Sequence, residues 1–398
     1  MKLNCDITLP ASKSESNRAL MIAAYGGFAP DFQNLSDSND TKLLMKVLDV
    51  LPFIDSLRCT GPRRNDIKGK PQVIDIADCG TAARFLTTYL ACHEGSWLLT
   101  GTERMKQRPI KPLVDALLKL SANIQYVEKQ GFLPLQIQGK PIQGGKVSID
   151  MTQSSQFASS LLLAAPMWPH GLELELMGEL NSLPYLDMTV AIMRHFGSEV
   201  ERTGRTIFVK PKPYQPTSFN VTPDWTAASY WYEIAAFSEE CEIKFRSLSL
   251  SKGHFDLQGD SIIAEWMTQF GVGSFVEGED VILRKIPFEK RPLSFDFSQH
   301  PDLYPTIAAT CAGLNIEAHF TGLDNLALKE SNRVEAMQHE LAKLDNRPVR
   351  FCAHNDHRIV MALAPLFMKY GSVSFDHPEV VEKSYPDFWK DLSFLPVV

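Results

Sequence analysis

The feature that most constrains the fold is an amphipathic helix pattern that recurs along the chain. Large apolar residues recur every 69 to 76 residues, at Leu51, Leu120, Phe196, Phe270 and Leu344. Another apolar residue stands three positions before each of them, and in four of the five cases a further one stands seven positions before. That spacing places one apolar stripe along a helix. The repeat predicts a protein assembled from several copies of one α/β supersecondary unit.

Short extended segments follow the last four of these helices. Three of the segments continue through a glycine-containing turn into a second strand, near Gly131, Gly204 and Gly278. Extended runs that flank such turns are typical of β-hairpins. A chain of 398 residues exceeds one ordinary hydrophobic core, so two domains are expected. The main linker is predicted in the proline-rich segment from Lys210 to Trp225, since proline can continue neither a helix nor a central strand.

Composition narrows the class of protein. The 47 acidic residues outnumber 40 basic ones, and this net charge of -7 disfavours a nucleic acid as the main partner. No apolar run reaches the roughly 18 residues of a membrane span, and Asp6 stands where a signal peptide would be apolar. We therefore expect a cytoplasmic protein with no membrane partner. Seven scattered cysteines without a CxxC pair predict reduced thiols rather than a disulfide framework or a zinc ribbon.

Cations and hydroxyls nevertheless cluster at the predicted helix starts. The runs are SKSESNRAL, CGTAARFL, RMKQRPIKPL, TQSSQFASSLLLAAP, KESNRVEAM, NDHRIVMALAP and EKSYPDFW. The free N–H groups at a helix start carry partial positive charge and bind anions. Taken singly, each run could also be an ordinary helix cap or a solvated loop. Together they predict one anion pocket, and arginines suit substrates with several phosphate or carboxylate groups.

Asp302 and Glu330 stand among these cations and are candidates for proton transfer. Neither a GxGxxG nor a GxxxxGK[ST] phosphate loop is found in a suitable setting, so nucleotide binding has little support. His354 and His357 are close along the chain and lack supporting ligands. The sequence therefore predicts no metal site and no cofactor, with His357 in a structural role.

Eight motifs, in order, carry a resemblance to a known family. They are LPASKSESNRAL, CGTAAR, RMKQRPIKPLVDAL, SSQFASSLLLAAP, HPDLYPTIAA, LKESNRVEAM, NDHRIVMALAP and VEKSYPDFW. The set resembles the 5-enolpyruvylshikimate-3-phosphate synthase family and spans essentially the whole chain. The related UDP-N-acetylglucosamine enolpyruvyl transferases share the fold but are not expected to combine SSQ, KESNR and NDHR.

The resemblance implies an α/β fold with two similar domains, each built from three βαβαββ units, in an inside-out α/β barrel. Domain I would comprise residues 1–11 and 226–398, domain II residues 12–225, with the active site in the cleft between them. The implied reaction transfers the carboxyvinyl group of phosphoenolpyruvate to the 5-hydroxyl of shikimate 3-phosphate and releases phosphate. It proceeds by addition and elimination through a tetrahedral intermediate, without metal or organic cofactor, and serves aromatic amino acid biosynthesis. We expect a monomer.

The site residues that the resemblance implies fall into three groups. Shikimate 3-phosphate would be bound by Lys13, Ser14, Arg18, Ser154, Ser155, Gln156, Ser182, Asp302, Asn325 and Lys329. Phosphoenolpyruvate would be bound by Lys13, Gly80, Arg108, Gln156, Arg333, Arg358 and Lys383. For catalysis, Asp302 with Lys329 would take the proton of the 5-hydroxyl, Glu330 would protonate the methylene carbon, and Lys13 would assist phosphate departure.

Departures from the family pattern are local. The residues that differ from the usual ones are Ala11, Asp78, Cys79, Ala83, Phe85 and Asn332. Asp78 puts an anion beside an anion site, so the contacts of the Gly80 loop, and with them glyphosate sensitivity, are not predicted. The serines usual at the returning crossover are missing from PDWTAAS.

Three alternatives remain beside this interpretation. One is another enolpyruvyl transferase with a different acceptor, and another is an enzyme resembling RNA 3′-phosphate cyclase on a related repeat fold. The acidic balance and the missing nucleotide signature count against the second. The third is a catalytically silent anion-binding protein, against which the intact set Lys13, Asp302, Lys329 and Glu330 counts.

Overall fold

The structure is a computed structural model that describes residues 1–29, 31–51, 70–250 and 257–395. The chain divides into two compact units. Unit 1 comprises Met1–Ser12, Ser36–Asn39 and Thr222–Val398, and unit 2 comprises Lys13–Leu35 and Asp40–Val221. The chain thus passes from unit 2 back to unit 1 inside the segment that the sequence marks as a linker.

The elements of both units are numbered here in chain order. The strands are β1 (Lys2–Ile7), β2 (Phe32–Gln33), β3 (Gln72–Asp75), β4 (Gly95–Thr100), β5 (Asn123–Tyr126), β6 (Leu135–Gly139), β7 (Gly145–Asp150), β8 (Leu172–Met177), β9 (Val200–Thr203), β10 (Thr206–Val209), β11 (Phe219–Asn220), β12 (Glu240–Phe245), β13 (Val272–Glu277), β14 (Asp280–Lys285), β15 (Leu293–Asp296), β16 (Ala318–Thr321), β17 (Val349–Phe351) and β18 (Val373–Phe375). The α-helices are α1 (Lys13–Gly26), α2 (Asn39–Val50), α3 (Gly80–Cys92), α4 (Glu103–Lys106), α5 (Lys111–Lys119), α6 (Gln156–Ala164), α7 (Leu183–His195), α8 (Trp225–Phe237), α9 (Ile263–Trp266), α10 (Tyr304–Leu314), α11 (Arg333–Leu341), α12 (His357–Leu363), α13 (Phe367–Tyr370) and α14 (Phe388–Leu392). Short 3-10 helices include Pro301–Leu303, Asp324–Leu328 and Pro378–Lys383.

Three four-stranded sheets repeat one topology. Their strand orders are β1-β12-β14-β13 in unit 1, and β3-β4-β6-β5 and β7-β8-β10-β9 in unit 2. In each sheet the first two strands are parallel and the last two strands form an antiparallel hairpin. The hairpins are those predicted from the sequence, and Gly131, Gly204 and Gly278 adopt φ values of 92°, 58° and 67° at their turns. Glycine is favoured there because a Cβ disfavours left-handed backbone.

The other three sheets are parallel pairs, β2 with β11, β15 with β16, and β17 with β18. Within residues 286–395, which the structure describes throughout, no antiparallel hairpin follows β16 or β18. The reason after β16 is length, because α11 ends at Leu341 and β17 begins at Val349. Seven residues cannot supply two strands and a turn. The βαβαββ order is therefore complete in three sheets, and the two pairs of unit 1 stop at βαβα.

Buried helices fill the centre of each unit. All five anchor residues of the sequence repeat are buried, which confirms the apolar stripe. In unit 2, α3 packs on α6, and α6 packs on α1 and α7; in unit 1, α10 packs on α8 and α12. Every residue of α8 is buried, as expected for a predominantly apolar helix in the core. Several of these helices begin at predicted site residues: α1 at Lys13, α3 at Gly80 and α6 at Gln156.

Two smaller predictions concern membrane-spanning helices and the state of the cysteines. No helix among the described residues is long and apolar enough to cross a membrane. The six cysteines that the structure describes are free thiols, and Cys59 lies outside the described residues.

Candidate active site

In unit 1, one arginine at the start of α11 contacts three carboxylates. Arg333 donates from Nη1 to Asp302 Oδ1 at 2.8 Å, from Nη2 to Glu330 Oε2 at 2.9 Å, and from Nε to Asp356 Oδ2 at 2.8 Å. The Arg333 side chain is only 1% exposed. The three carboxylates hold the pKa of Arg333 above its ordinary value, although burial opposes this. The guanidinium is thus a permanent cation with a fixed orientation.

Asp302 is the point where several cations of unit 1 meet. Its Oδ2 accepts from Arg358 Nη2 at 2.7 Å, and Lys329 Nζ lies 3.8 Å from Oδ1. Burial disfavours the charged form, but Arg358, Lys329 and Arg333 outweigh it and hold the pKa of Asp302 well below its usual range, against a smaller opposing effect of Glu330. The three cations therefore favour the ionised form of Asp302.

Asp356 connects Arg333 to the start of the next helix and was not among the predicted site residues. Its side chain is fully buried. It accepts from Ser331 Oγ at 3.0 Å and from the backbone N–H of Arg358, also at 3.0 Å, as the N-cap of α12. The signal was present in the sequence, because an aspartate directly before an apolar helix is a favoured N-cap. Its second role, as a counter-charge to Arg333, requires the tertiary structure.

The remaining predicted residues of unit 1 lie on 3-10 helices. Asn325 belongs to Asp324–Leu328 and Lys383 ends Pro378–Lys383, and both side chains are buried. The second of these 3-10 helices packs against α12, which carries Arg358. The structure thus places Lys383 beside the helix of Arg358, another residue predicted to bind phosphoenolpyruvate.

In unit 2, Lys13 begins α1 and faces an aspartate that was not predicted. Lys13 Nζ lies 3.0 Å from Asp40 Oδ2, and the two side chains are 13% and 6% exposed. Asp40 stands in the first turn of α2. Nothing in the local sequence pattern links it to Lys13, because the pair is 27 residues apart and forms only when α1 and α2 are folded.

Gly80, the first residue of α3, leaves room for the guanidinium of Arg108. A Cβ added at Gly80 would lie 2.7 Å from Arg108 Nη1 and 2.9 Å from Nη2. No real side chain tolerates such a contact, so a larger residue would push Arg108 aside. The structure thus brings together two residues that were predicted to bind the same substrate, 28 positions apart in the chain.

Arg84 and Cys79 hold the Gly80 loop in place. Arg84 is buried and donates from Nη1 to the Gly80 carbonyl at 3.0 Å and from Nη2 to the Pro109 carbonyl at 3.2 Å. Cys79 is the N-cap of α3, where its Sγ accepts from the backbone N–H of Ala82 at 3.4 Å. Arg84 therefore ties the start of α3 to the turn that carries Arg108.

Arg18 lies on the inner face of α1 and reaches α7. It donates from Nε to Thr189 Oγ1 at 2.7 Å, from Nη1 to the Ser14 carbonyl at 2.8 Å and from Nη2 to the Tyr185 carbonyl at 3.1 Å. Burial lowers the pKa of Arg18 to about 10, although Tyr185 and Glu15 oppose the shift. A guanidinium held by neutral acceptors remains electrostatically available to an anion.

The serines and the glutamine predicted for unit 2 stand at two helix starts. Gln156 begins α6, and its Nε2 donates to Thr81 Oγ1 at 3.3 Å, which links α6 to α3. Ser154 Oγ accepts from the backbone N–H of Gln156 at 3.2 Å, and Ser155 is the buried N-cap residue. Ser182 precedes α7 with φ 57° and ψ 38° and makes no side-chain cap to that helix. Left-handed serine is uncommon and is over-represented at functional sites.

Each unit therefore holds a distinct set of groups. Unit 2 holds helix starts, serines and buried cations, which suit the binding of phosphate and carboxylate groups. Unit 1 holds the buried arginines Arg333 and Arg358 at helix starts, together with two partly accessible carboxylates, Asp302 and Glu330, which suit proton transfer on an anionic substrate.

Solved structures with the same fold define the class. An EPSP synthase from Acinetobacter baumannii matches with a TM-score of 0.71 and 19% identity, over 100% of this chain and 96% of that one. A second structure of EPSP synthase from that organism matches with a TM-score of 0.70 and 18% identity. At this identity the likeness shows the fold alone, which is the α/β fold of the enolpyruvyl transferases.

Sequence comparison identifies the family within that class. The family model described as EPSP synthase (3-phosphoshikimate 1-carboxyvinyltransferase) matches residues 1–392. A 3-phosphoshikimate 1-carboxyvinyltransferase from Bacteroides fragilis (strain YCH46) is 39% identical over 98% of this chain and 95% of its own length. One from Histophilus somni (strain 2336) is 32% identical over 98% and 96%. The chain belongs to the EPSP synthase family, which confirms the predicted family, transferase class and role in aromatic biosynthesis.

Proposed function

We propose that this chain transfers the carboxyvinyl group of phosphoenolpyruvate to the 5-hydroxyl of shikimate 3-phosphate and releases phosphate. The observation that carries the proposal is the Asp302 network, in which one carboxylate contacts Arg333 at 2.8 Å and Arg358 at 2.7 Å. Both arginines stand at helix starts and suit a carboxylate or a phosphate as well as they suit Asp302. Family membership supplies the identity of the substrates.

The proposed ligands are the residues that the family pattern implies. Shikimate 3-phosphate is bound by hydroxyl, amide and cationic groups, namely Lys13, Ser14, Arg18, Ser154, Ser155, Gln156, Ser182, Asp302, Asn325 and Lys329. Phosphoenolpyruvate is bound by Lys13, Gly80, Arg108, Gln156, Arg333, Arg358 and Lys383. Buried cations support this assignment, because two phosphates and two carboxylates require neutralisation in a site from which water is excluded.

Asp302 is proposed to take the proton of the 5-hydroxyl, and its contacts explain when it does so. Without substrate, Arg358, Lys329 and Arg333 hold its pKa low, which makes it a weak base. An incoming carboxylate or phosphate competes for the same guanidinium groups. The negative charge of the substrate offsets that of the cations, so Asp302 loses part of their stabilisation and its pKa rises, and substrate binding itself strengthens the base.

Glu330 is proposed to protonate the methylene carbon of phosphoenolpyruvate. The 5-oxygen then bonds to the neighbouring carbon and a tetrahedral intermediate forms. In the second step Glu330 takes a proton back from the methyl group, the carbon–oxygen bond to phosphate breaks, inorganic phosphate leaves, and the enol ether remains on the 5-oxygen. Lys13 is proposed to assist the departing phosphate, which its position at the start of α1 supports.

The domain assignment is also a proposal. We propose that 1–11 with 226–398 and 12–225 are the functional domains and that residues of both are needed for one turnover. The three parallel strand pairs are proposed to be shortened copies of the βαβαββ unit, so that six copies of it built the chain as an inside-out barrel.

One experiment tests the reaction and the two proton roles together. Phosphate release is measured with phosphoenolpyruvate alone and with added shikimate 3-phosphate, and we expect release only with both. Release without the acceptor, or no release, contradicts the proposal.

In deuterated water, wild-type enzyme is expected to place deuterium on the methylene carbon, whereas Glu330→Gln is expected to lose this exchange. A Glu330→Gln variant that exchanges at the wild-type rate contradicts the role of Glu330, and Asp302→Ala with a near wild-type rate contradicts that of Asp302.

A further inference from the structure

A cluster of metal-ligating side chains lies in unit 1 outside the residues assigned to the reaction. His339 and Glu340 belong to α11, and His354 lies in the loop between β17 and α12. His339 Nδ1 is 2.9 Å and His354 Nε2 is 2.7 Å from Glu340 Oε1. Each of the three residues offers one ligand atom, and these atoms all lie within 4.8 Å of one another. The sequence predicted no metal site from His354 and the nearby His357, whereas in the structure His354 lies beside two residues 14 and 15 positions earlier.

We propose that His339, Glu340 and His354 form a binding site for one divalent transition-metal ion, with zinc as the best match. Two imidazoles and one carboxylate are an established zinc-ligand combination that leaves a fourth position for water. Bonds of about 2.0–2.1 Å in tetrahedral geometry place ligand atoms about 3.3 Å apart. The two imidazole–carboxylate separations need to open by about half an ångström to accept the ion. A hard cation such as magnesium prefers oxygen ligands and is not expected here.

The anchoring of the three side chains supports a site rather than a chance surface contact. Glu340 has a fully buried side chain, and its Oε2 accepts from Lys343 Nζ at 2.7 Å and from the backbone N–H of Cys352 at 2.9 Å. These contacts fix the carboxylate and leave Oε1 towards the two rings. His354 adopts a left-handed backbone with φ 53°, which orients its ring back towards α11. The His339 ring is 66% exposed and therefore free to adjust.

Lys343 sets the affinity of the proposed site. Its ammonium lies 2.9 Å from Oε1 as well as 2.7 Å from Oε2, so it competes with a cation for the same carboxylate. We expect removal of this charge to tighten metal binding. The ion would also join α11 to the loop that carries Asp356, and binding to the folded state alone stabilises it.

The test is a zinc titration of the full chain without an affinity tag, by calorimetry at pH about 7.5. We expect one site per chain, and His339→Ala and His354→Ala should each weaken zinc binding about tenfold or more. His377→Ala is the matched control, because His377 Nδ1 also contacts a carboxylate, Glu379 Oε1 at 3.1 Å, but is not part of the His339 cluster. It should bind zinc as the wild type does. Lys343→Met should bind zinc several-fold more tightly.

Cobalt absorption separates this site from adventitious thiol binding, since six free cysteines are described. The proposed ligands predict weak visible bands without the intense near-ultraviolet band of thiolate coordination. No saturable zinc binding, equal affinity in the two histidine variants and the wild type, or a thiolate band would each overturn the proposal. His339→Ala should keep its phosphate-release rate without zinc, which verifies that the variant is folded.

Discussion

The two units hold their buried cations in different ways. In unit 1, Arg333 is surrounded by three carboxylates, so its charge is balanced inside the protein. In unit 2, the acceptors that hold Arg18 and Arg84 include carbonyl and hydroxyl oxygens, which carry no net charge, whereas Lys13 is paired with the Asp40 carboxylate. A cation held by neutral groups retains its attraction for an anion, whereas a cation held by carboxylates keeps those carboxylates ionised.

The difference teaches how one chain of net charge -7 can bind two anions and also move protons. The cations Arg18 and Arg84 of unit 2 lie among neutral acceptors. Unit 1 holds carboxylates whose protonation depends on the charge of the neighbouring cations. Asp302 illustrates the second arrangement, because its pKa in the folded protein lies below its ordinary value of 3.8. Its ionised form therefore stabilises the fold at pH values above 3.8, and this stabilisation is lost as the pH falls from 3.8 towards the folded pKa.

The largest effect is expected from Arg333→Ala, which breaks the balance in unit 1. The change leaves the fully buried Asp356 without its main counter-charge. Breaking a buried ion pair from one side costs about 3–5 kcal/mol, and we expect that loss in the free energy of unfolding, measured with denaturant. The double variant Arg333→Met with Asp356→Leu removes both charges and should recover part of it. A loss below about 1 kcal/mol for the single variant would show that Arg333 is not needed to compensate the buried charge.

The second prediction concerns a carboxyl of unit 1 that has no such cation. Glu233, in α8, is fully buried, and neither of its oxygens has a hydrogen-bond partner among the described residues. Burial raises its pKa well above the ordinary 4.5. The neutral form is therefore favoured in the fold, and stability is full below pH 4.5 and decreases as the pH rises towards the folded pKa.

We expect Glu233→Gln to stabilise the protein by about 1–3 kcal/mol at neutral pH and by little at pH about 4.5. Thermal or denaturant unfolding at several pH values checks this. Equal stability of the variant and the wild type across the range would mean that Glu233 is not held neutral. Asp302→Asn is the contrasting variant, whose stability relative to the wild type should improve as the pH falls.

The third prediction tests one cation of unit 2, the guanidinium of Arg108. Gly80→Ala places a Cβ within 2.7 Å of the Arg108 guanidinium, so the guanidinium must move. We expect the KM for phosphoenolpyruvate to rise about tenfold, equivalent to about 1.4 kcal/mol, with little change in the melting temperature. Adding Arg108→Ala to this variant should raise the KM for phosphoenolpyruvate no more than Arg108→Ala alone does, because both changes act through one side chain. Additive effects would contradict that common cause.

The smallest effect is expected at a departure from the family pattern. Cys79 caps α3 through a sulfur that accepts from Ala82 at 3.4 Å. Serine is a stronger N-cap, so Cys79→Ser should stabilise the protein by about 0.5 kcal/mol and leave turnover unchanged. The melting temperature measures the stability, and the rate of phosphate release measures the turnover. A destabilised variant would indicate that the thiol is needed for packing rather than as a cap.

The sequence predicted the parts of the fold that depend on short-range pattern. The apolar stripes, the three hairpins and the helix starts at Lys13 and Gly80 all follow from spacing within a few residues. The residues predicted no hairpin after Leu344, and none follows α11 in the described part of the chain, whereas the three βαβαββ units per domain that the resemblance implied would have required one.

The contacts of the site depended on long-range packing. Motif order predicted which residues bind anions, yet the partners Asp40 of Lys13 and Asp356 of Arg333 are 27 and 23 positions away. No local pattern indicates which carboxylate will neutralise which cation. The grouping of His354 with His339 and Glu340 escaped prediction for the same reason.

The most direct test of the division between the units is a comparison of kcat and KM for two matched variants. Asp302→Asn removes the negative charge of one carboxylate in unit 1. Arg108→Gln removes the positive charge of one guanidinium in unit 2. We predict that Asp302→Asn lowers kcat about a hundredfold or more with a KM for phosphoenolpyruvate close to that of the wild type, and that Arg108→Gln raises the KM for phosphoenolpyruvate with a smaller loss of kcat. The reverse pattern, or the same pattern in both variants, would contradict the assignment of proton transfer to Asp302 and of phosphoenolpyruvate binding to Arg108.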